Sequence, residues 1–301
     1  MKLDGITSFV AVAEAGSISE AARTLRLSKS VVSERLAELE RSLGATLLHR
    51  TTRKISVTED GAAFLERARR ILREVSEAAT DLAERRGTLA GPMRLSAPVT
   101  FGRLHLGPAL YPFLKANPKI EMSLDLDDRR VDIASGVYDG VVRHGAIEDN
   151  RLMVWKLAPS RRALVASDAY LAAHGMPKTT AELDEHKGIF YTNRGVADWR
   201  FATPGGVEIV RARVGLRVNN GDMIRDAAVA GLGIALLPLF IAGPDIRDGR
   251  LTVVDVGVRP APEFIYLAHP EGRRPPAKLR ALADHLKTAF GDPPYWEKGV
   301  G

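Results

Sequence analysis

The hydrophobic period of the chain changes once, near Gly91-Pro92, and that change rules out a fold built on one architecture throughout. Before it, apolar residues recur at three- and four-residue intervals, the mark of amphipathic helices. After it, short β-rich runs alternate with helical stretches. Gly87 and the Gly91-Pro92 pair are breakers that suit a domain boundary. A length of 301 residues is enough for two or three domains, each with its own core.

In the first stretch, residues 6–15 put Phe9, Val10, Val12 and Ala13 on an apolar face, and Gly16 ends that helix. Ser17 is placed to cap a second helix over 18–25, whose small Ala21-Ala22 pair suits a close crossing. The turn Arg26-Leu27-Ser28 leads into a third helix, capped by Ser28 and running to 42. It carries Val32, Leu36, Leu39 and Leu43 on one face, and Gly44 closes it. Extended pieces at 46–49 and 54–57 flank a basic tip, Arg50-Thr51-Thr52-Arg53. Thr58 then caps a helix to about residue 86, with Glu59 and Asp60 where acids suit the helix dipole. Ala68, Val75 and Leu82 sit seven apart along it, with Leu65, Leu72 and Ala79 between them. That heptad seam predicts a partner helix, although packing on its own domain would also satisfy it.

Two short helices, a tight turn, a third helix and a basic hairpin describe a winged helix-turn-helix. A helix fits the major groove of DNA, and its N-terminal residues reach base edges. Here those are Lys29, Ser30 and Ser33, with Glu34 and Arg35 nearby. Ser28, Ser33 and the free N–H groups of the helix start can hold phosphate. The wing, with Arg50, Thr51, Thr52 and Arg53, would meet a minor groove or the backbone. A formal charge of +6 favours a polyanionic partner but does not by itself decide for one.

From Met93 onward the pattern predicts strands at 93–97, 120–126, 139–143, 162–166, 188–191, 214–218, 233–237, 252–256 and 264–268, with helices at 102–115, 222–230 and 277–290. The alternation suggests mostly parallel sheets with crossover helices. Nine strands are many for one sheet, so two subdomains are expected, with the strand at 264–268 and the last helix returning to the first. The apolar run 229–244 is too short and too broken by glycine and Pro238 to span a bilayer, and reads as a buried helix, a turn and a buried strand.

The run from Phe9 to Ala22 resembles the opening of the LysR-type transcriptional regulators. So do Leu27-Ser28-Lys29-Ser30-Val31-Val32-Ser33, Leu39-Glu40, Leu43-Gly44, Leu47-Leu48, Arg50-Thr51-Thr52-Arg53 and Val57-Thr58-Glu59-Asp60-Gly61. Weaker matches continue at Leu95-Ser96-Ala97-Pro98, Phe101-Gly102, Asp128-Arg129, Val131-Asp132 and the segment Ala230 to Pro238, so the resemblance covers nearly the whole chain. It implies an α/β protein with an N-terminal winged helix-turn-helix (1–58), a dimerising linker helix (59–90) and a two-lobed effector domain (91–301) similar to periplasmic solute-binding proteins. Lobe I would take about 91–161 and 268–301, and lobe II about 162–267. It also implies binding to double-stranded promoter DNA, dimers that pair into tetramers, and RNA polymerase as a further partner. Glu34 stands where the family often has arginine; an acid there can accept from a cytosine amino group.

In open α/β domains ligands sit near strand C-termini and helix starts. Three loops qualify: Pro98-Val99-Thr100-Phe101, Arg143-His144-Gly145 and Asn219-Asn220-Gly221-Asp222. Arg143 and the helix starts suggest a small organic anion, with cap and turn chemistry as the plainer reading of each loop. No cofactor and no metal are expected. The chain has no cysteine, none of its seven histidines has another four residues away, and no G-x-S-x-G elbow or phosphate loop occurs. The Gly231-x-Gly233 pair reads as close backbone packing. An enzyme is therefore not expected. The sequence permits an architectural DNA binder that ignores small molecules; the helical first third opposes a plain solute-binding protein. Met1–Gly5 carry an early acid and no apolar run with a cleavage site, which predicts a cytoplasmic protein with no membrane partner.

Overall fold

A computed structural model of the chain describes residues 1–50, 55–84, 88–129, 133, 137–145, 152–193, 199–270 and 274–300. Its contacts divide between a first unit ending at Gly91 and a second beginning at Pro92.

Local chemistry sets the helix ends of the first unit. Helix α1 (Leu3–Ala15) stops at Gly16, which is left-handed. Helix α2 (Ile18–Leu25) starts on Ser17, whose hydroxyl accepts the Glu20 N–H. Its last turn closes on Arg26, a non-glycine residue at φ 53° whose N–H reaches the Ala22 and Arg23 carbonyls. Helix α3 (Lys29–Leu43) starts on Ser28 and ends at Gly44. Strands β1 (Leu48–Arg50) and β2 (Ile55–Val57) pair antiparallel, with His49 opposite Ser56. Helix α4 (Glu59–Glu84) follows, with the Gly61 N–H donating to the Thr58 hydroxyl at 2.9 Å. Ile6, Phe9, Val12, Ala21, Ala22, Val32, Leu36, Leu39, Leu47, Leu48 and Ala68 form one core. Phe64, Leu65, Ile71 and Leu72 pack on its edge, so the near half of the expected heptad seam is satisfied within its own domain. Val75 is exposed; the side chains of Ala79 and Leu82 lie outside the described set.

The second unit opens with β3 (Gly91–Ala97), then α5 (Val99–Phe101), a π-helical turn (Gly102–Leu106) and α6 (Gly107–Ala116). Strands β4 (Ile120–Leu126), β5 (Gly140–Gly145) and β6 (Leu152–Pro159) come next. The chain then crosses to β7 (Arg162–Ala166), α7 (Asp168–His174), a 3-10 turn (Ala181–Glu185) and β8 (Lys187–Tyr191). The hairpin β9 (Arg200–Thr203) and β10 (Gly206–Ile209) precedes β11 (Arg213–Val218), α8 (Gly221–Val229), β12 (Ile234–Pro238) and α9 (Leu239–Arg247). Short β13 (Thr252–Val253) and β14 (Arg259–Pro260) lead back through β15 (Phe264–Pro270) to α10 (Ala277–Phe290) and a last 3-10 turn (Tyr295–Glu297).

Two five-stranded sheets result, in the orders β4-β3-β5-β15-β6 and β11-β8-β12-β7-β13, with a small third sheet β10-β9-β14. They are not mostly parallel as expected. The pairs β3·β5, β8·β11 and β8·β12 are parallel, but β15 runs against β5 and β6, and β7 against β12 and β13. The antiparallel strands are those beside the two crossings, where the chain leaves one lobe and re-enters the other without a crossover helix. The whole of β15 lies in the first sheet, so the return precedes Phe264 rather than falling at 268. Ser160 and Glu263, one on each crossing, are joined by an N–H···O bond of 2.9 Å.

Helix α9 escapes sequence reading because Leu239, Phe240, Ile241 and Ala242 are all buried, so no polar face marks its period. The Gly231-Gly233 pair is structural. Gly231 is left-handed, and a Cβ on Gly233 would stand 2.3 Å from the Lys187 carbonyl oxygen of the neighbouring strand.

Candidate nucleic-acid interface and inter-lobe cleft

Helix α3 buries Val32, Leu36 and Leu39 beneath α1 and α2. At 100° per residue, Ser30 and Glu34 fall on the opposite face and Ser33 on its flank, while Lys29 is the first residue of the helix. Ser28, Lys29, Ser30 and Glu34 are exposed and Ser33 is half-buried. Ser28 Oγ accepts the Val31 N–H at 3.3 Å and lies 2.8 Å from Ser30 Oγ, so the two hydroxyls stand together at the positive end of the helix. Arg35 is turned away from this face: its guanidinium pairs with Asp4 of α1 at 2.9 Å. The wing is anchored from below. The Glu40 carboxylate accepts the N–H groups of Leu47 (2.8 Å) and Leu48 (3.2 Å), and Thr58 donates its hydroxyl to the Thr46 carbonyl at 2.7 Å. The backbone of Arg50 is the last residue of β1; its side chain, and all of Thr51, Thr52 and Arg53, lie outside the described residues.

In the second unit the loops named from the sequence separate into different roles. Pro98 and Val99 are half-buried, and the Val99 N–H donates to Asp128 Oδ1 at 2.9 Å. The Thr100 hydroxyl donates to Asp222 Oδ2 at 3.1 Å, and the Arg103 guanidinium reaches Asp222 Oδ1 at 3.1 Å. Residues 99–103 belong to lobe I and Asp222 opens α8 in lobe II, so these bonds span the cleft. Asn193 Nδ2 donates to the Asp128 carbonyl at 2.8 Å, and Asn220 Nδ2 approaches Asp128 Oδ2 at 3.5 Å. Burial holds the Asp128 carboxyl above the usual carboxylate range, against the Val99 and Asn220 donors.

Arg143 is half-buried. Its Nη2 donates to the fully buried Ser96 Oγ at 3.2 Å and its Nη1 to the Val142 carbonyl at 2.8 Å. Among the described residues no carboxylate comes within ion-pair distance, and burial lowers its pKa from the ordinary guanidinium value.

Three other sequence-named residues make contacts of a different kind. Phe101 is fully buried, with its ring edge-on to Phe240, Phe290 and Trp296 at 5.2, 5.6 and 5.9 Å. His144 Nε2 lies 2.9 Å from Glu263, which also holds Arg162 at 3.0 Å. Asn219 is exposed, and it is Asn220 that caps α8, accepting the Met223 N–H at 3.1 Å.

Comparison with known proteins decides the family. Residues 3–62 match the model for bacterial regulatory helix-turn-helix proteins of the lysR family, and residues 86–291 match the LysR substrate binding domain. The chain belongs to the LysR family. It is 32% identical over 298 residues to the HTH-type transcriptional regulator PtxR of Pseudomonas aeruginosa, covering 98% of this chain and 95% of that protein. Among solved structures it is similar to the Vibrio cholerae virulence activator AphB, with 26% identity, a TM-score of 0.59, and 95% and 98% of the two chains covered. It is likewise similar to CrgA of Neisseria meningitidis, at 28% identity and a TM-score of 0.59, covering 97% and 100%. The protein is thus a LysR-type DNA-binding transcriptional regulator with a two-lobed effector domain. Among its described residues no helix is long and apolar enough to cross a membrane.

For this LysR-type regulator, sequence reasoning missed Glu40 as wing anchor and Arg103, Asp128 and Asn193 as inter-lobe groups, and placed Asn220 and Asp222 in a candidate ligand loop without their partners. Asp128, Asn220 and Asp222 stand within recognisable motifs, yet only the meeting of the lobes gives them partners.

Proposed function

We propose that this regulator reads an imperfect palindrome with two copies of α3, using Lys29, Ser30 and Ser33 on base edges, Ser28 on phosphate, and the wing residues Arg50, Thr51, Thr52 and Arg53 on flanking backbone or minor groove. The exposed, serine-capped start of α3 supports this reading. Glu34 shares that face and suits a cytosine amino group; Arg35, paired with Asp4, contributes by fixing α3 on α1. Footprinting on the DNA upstream of its own coding sequence is expected to show a protected, two-fold site. Lys29→Ala should change the preferred bases and cost about 1–3 kcal/mol of binding. Unchanged preference across a randomised site library would remove α3 as the reading helix.

The effector is proposed to be a small organic anion held in the inter-lobe cleft. Arg143 carries this reading, as a largely desolvated cation without a carboxylate counterpart among the described residues; Val99 and Thr100 follow β3, the strand that pairs with its own. Arg143→Gln should weaken the anion by about 1.5–3 kcal/mol, roughly 10- to 150-fold. The check is a thermal-shift screen of small carboxylates on both proteins, since a ligand of the native state raises apparent stability. Equal shifts in the two would place the anion elsewhere.

Self-association to dimers and tetramers is supported by exposed Val75 on α4 and by two oppositely charged edge strands. Strand β4 exposes Glu121 and Asp125, whereas β11 exposes Arg213 and Arg217. Such a protein acts by binding, without turnover, in the cytoplasm where its promoter lies.

A further inference from the structure

We infer that the C-terminal segment, residues 291–300, is a strap that holds the two lobes of the effector domain at a fixed mutual angle. Helix α10, which ends at Phe290, packs in lobe I on α6 and β6. The chain then runs between α10 and α9 of lobe II, and Trp296, Glu297 and Val300 are buried along it.

Three sets of contacts fasten it. The Trp296 ring stands 5.2 Å from Phe290, 5.9 Å from Phe101 and 4.8 Å from His105 in lobe I, and 6.5 Å from Phe240 of α9 in lobe II. His105 itself bridges the lobes. Its Nε2 lies 3.0 Å from the Phe240 carbonyl, which can only accept, so that nitrogen carries the proton; Nδ1 then accepts from the Tyr295 hydroxyl at 2.7 Å. Burial disfavours the charged ring, in keeping with this neutral tautomer. On the far side, Arg247 Nη1 of α9 donates to the Lys298 carbonyl at 3.3 Å. Finally, the buried Glu297 carboxylate accepts from Arg161 Nε at 2.6 Å and from the Arg161 N–H at 3.1 Å. Arg161 lies on the crossing between β6 and β7, about which the lobes must turn.

One short segment therefore grips the first helix of lobe I, the last long helix of lobe II and the crossing between β6 and β7 at once. A tail that only sealed a core would touch one lobe. Any change of lobe angle has to break at least one of the three sets, because packed rings and buried hydrogen bonds do not stretch continuously. The strap also reaches the cleft through a single helical turn. Thr100 bonds Asp222 across the cleft, and its neighbour Phe101 lies in the strap's aromatic cluster.

The native chain has no cysteine, so a Lys115→Cys, Ala172→Cys pair, exposed on α6 and α7, can be spin-labelled without background. Full-length labelled protein, diluted into an excess of unlabelled chain, gives the inter-lobe distance within one subunit by pulsed electron paramagnetic resonance. The unaltered tail should give one narrow distance. Glu297→Gln, which keeps the shape of the side chain, and Tyr295→Phe should each broaden it or add a second distance. Deleting residues 292–301 should do so most. Distributions that superimpose on the parent for the folded Glu297→Gln and Tyr295→Phe proteins would overturn the strap, whatever happens to the deletion. The measurement involves neither DNA nor effector, so its outcome is separate from the reading of either site.

Discussion

Gly61→Ala is expected to abolish DNA binding while leaving the effector domain folded. Alanine is ordinarily the better helix residue, by about 1 kcal/mol. Here the added Cβ would stand 2.0 Å from the Leu47 carbonyl oxygen and 2.7 Å from Val57 Cγ1. The Leu47 backbone cannot retreat. Its N–H is held by Glu40, and its carbonyl accepts the Thr58 N–H at 3.0 Å. Overpacking against fixed backbone costs about 3 kcal/mol or more, which exceeds the propensity gain and is a large share of a small domain's stability. Either α4 must then leave its place on α1 or the wing its place beside α3. Footprinting and a melting curve on the full-length variant would show it, as lost protection and a weakened transition of the first unit. Protection and melting like the parent's would mean that the close approach at Gly61 is not what seats the wing.

Glu263→Ala should produce the largest loss of stability in the effector domain. The carboxylate is buried where the chain returns to lobe I. It holds Arg162 at 3.0 Å, from the start of β7, and His144 at 2.9 Å, from β5. The Arg162 side chain is only 2% exposed. Removing one partner of a buried ion pair leaves the other charge desolvated, at about 3–5 kcal/mol. For a domain of this size that lowers Tm by roughly 6–20 °C. Glu263→Gln, which keeps the shape and one accepting oxygen but loses the charge, should fall between. By contrast, removing the exposed Lys2–Glu38 pair should move Tm little, because water and salt screen it. Equal melting of the Glu263→Ala and Glu38→Gln proteins would show that the buried cluster contributes no more than a surface pair.

Much of the first unit is legible residue by residue. Ser17, Ser28 and Thr58 act as the helix caps their positions suggest, and Gly16 and Gly44 end helices in the left-handed region. In the second unit, β4, β7 and α10 fall on the residues expected from their periodicity. Caps, left-handed stops and apolar periods are short-range signals, decided by a few neighbouring side chains. Strand β6 escapes such reading because Trp155, Lys156 and Leu157 break the alternation that marks a half-buried strand. The β9–β10–β14 sheet escapes it because its third strand is two residues long and comes from far along the chain.

The cleft shows the other side of the division. Thr100 and Phe101 are adjacent, yet one bonds across the lobes and the other is buried core. Asn219 and Asn220 are both plausible turn residues, and only the second caps α8. His144 is indistinguishable from a ligand-facing histidine until Glu263, more than a hundred positions later, is brought against it. The amino-acid sequence by itself determined the family, the helix-turn-helix and those strands and helices whose period is unbroken, because these follow from local propensity and from a long ordered motif. Only the tertiary structure decided the strand directions at the crossings, the carboxylates and amides that meet between the lobes, and the strap. Each of these depends on which distant groups are desolvated together, and that is set by the packing of whole lobes.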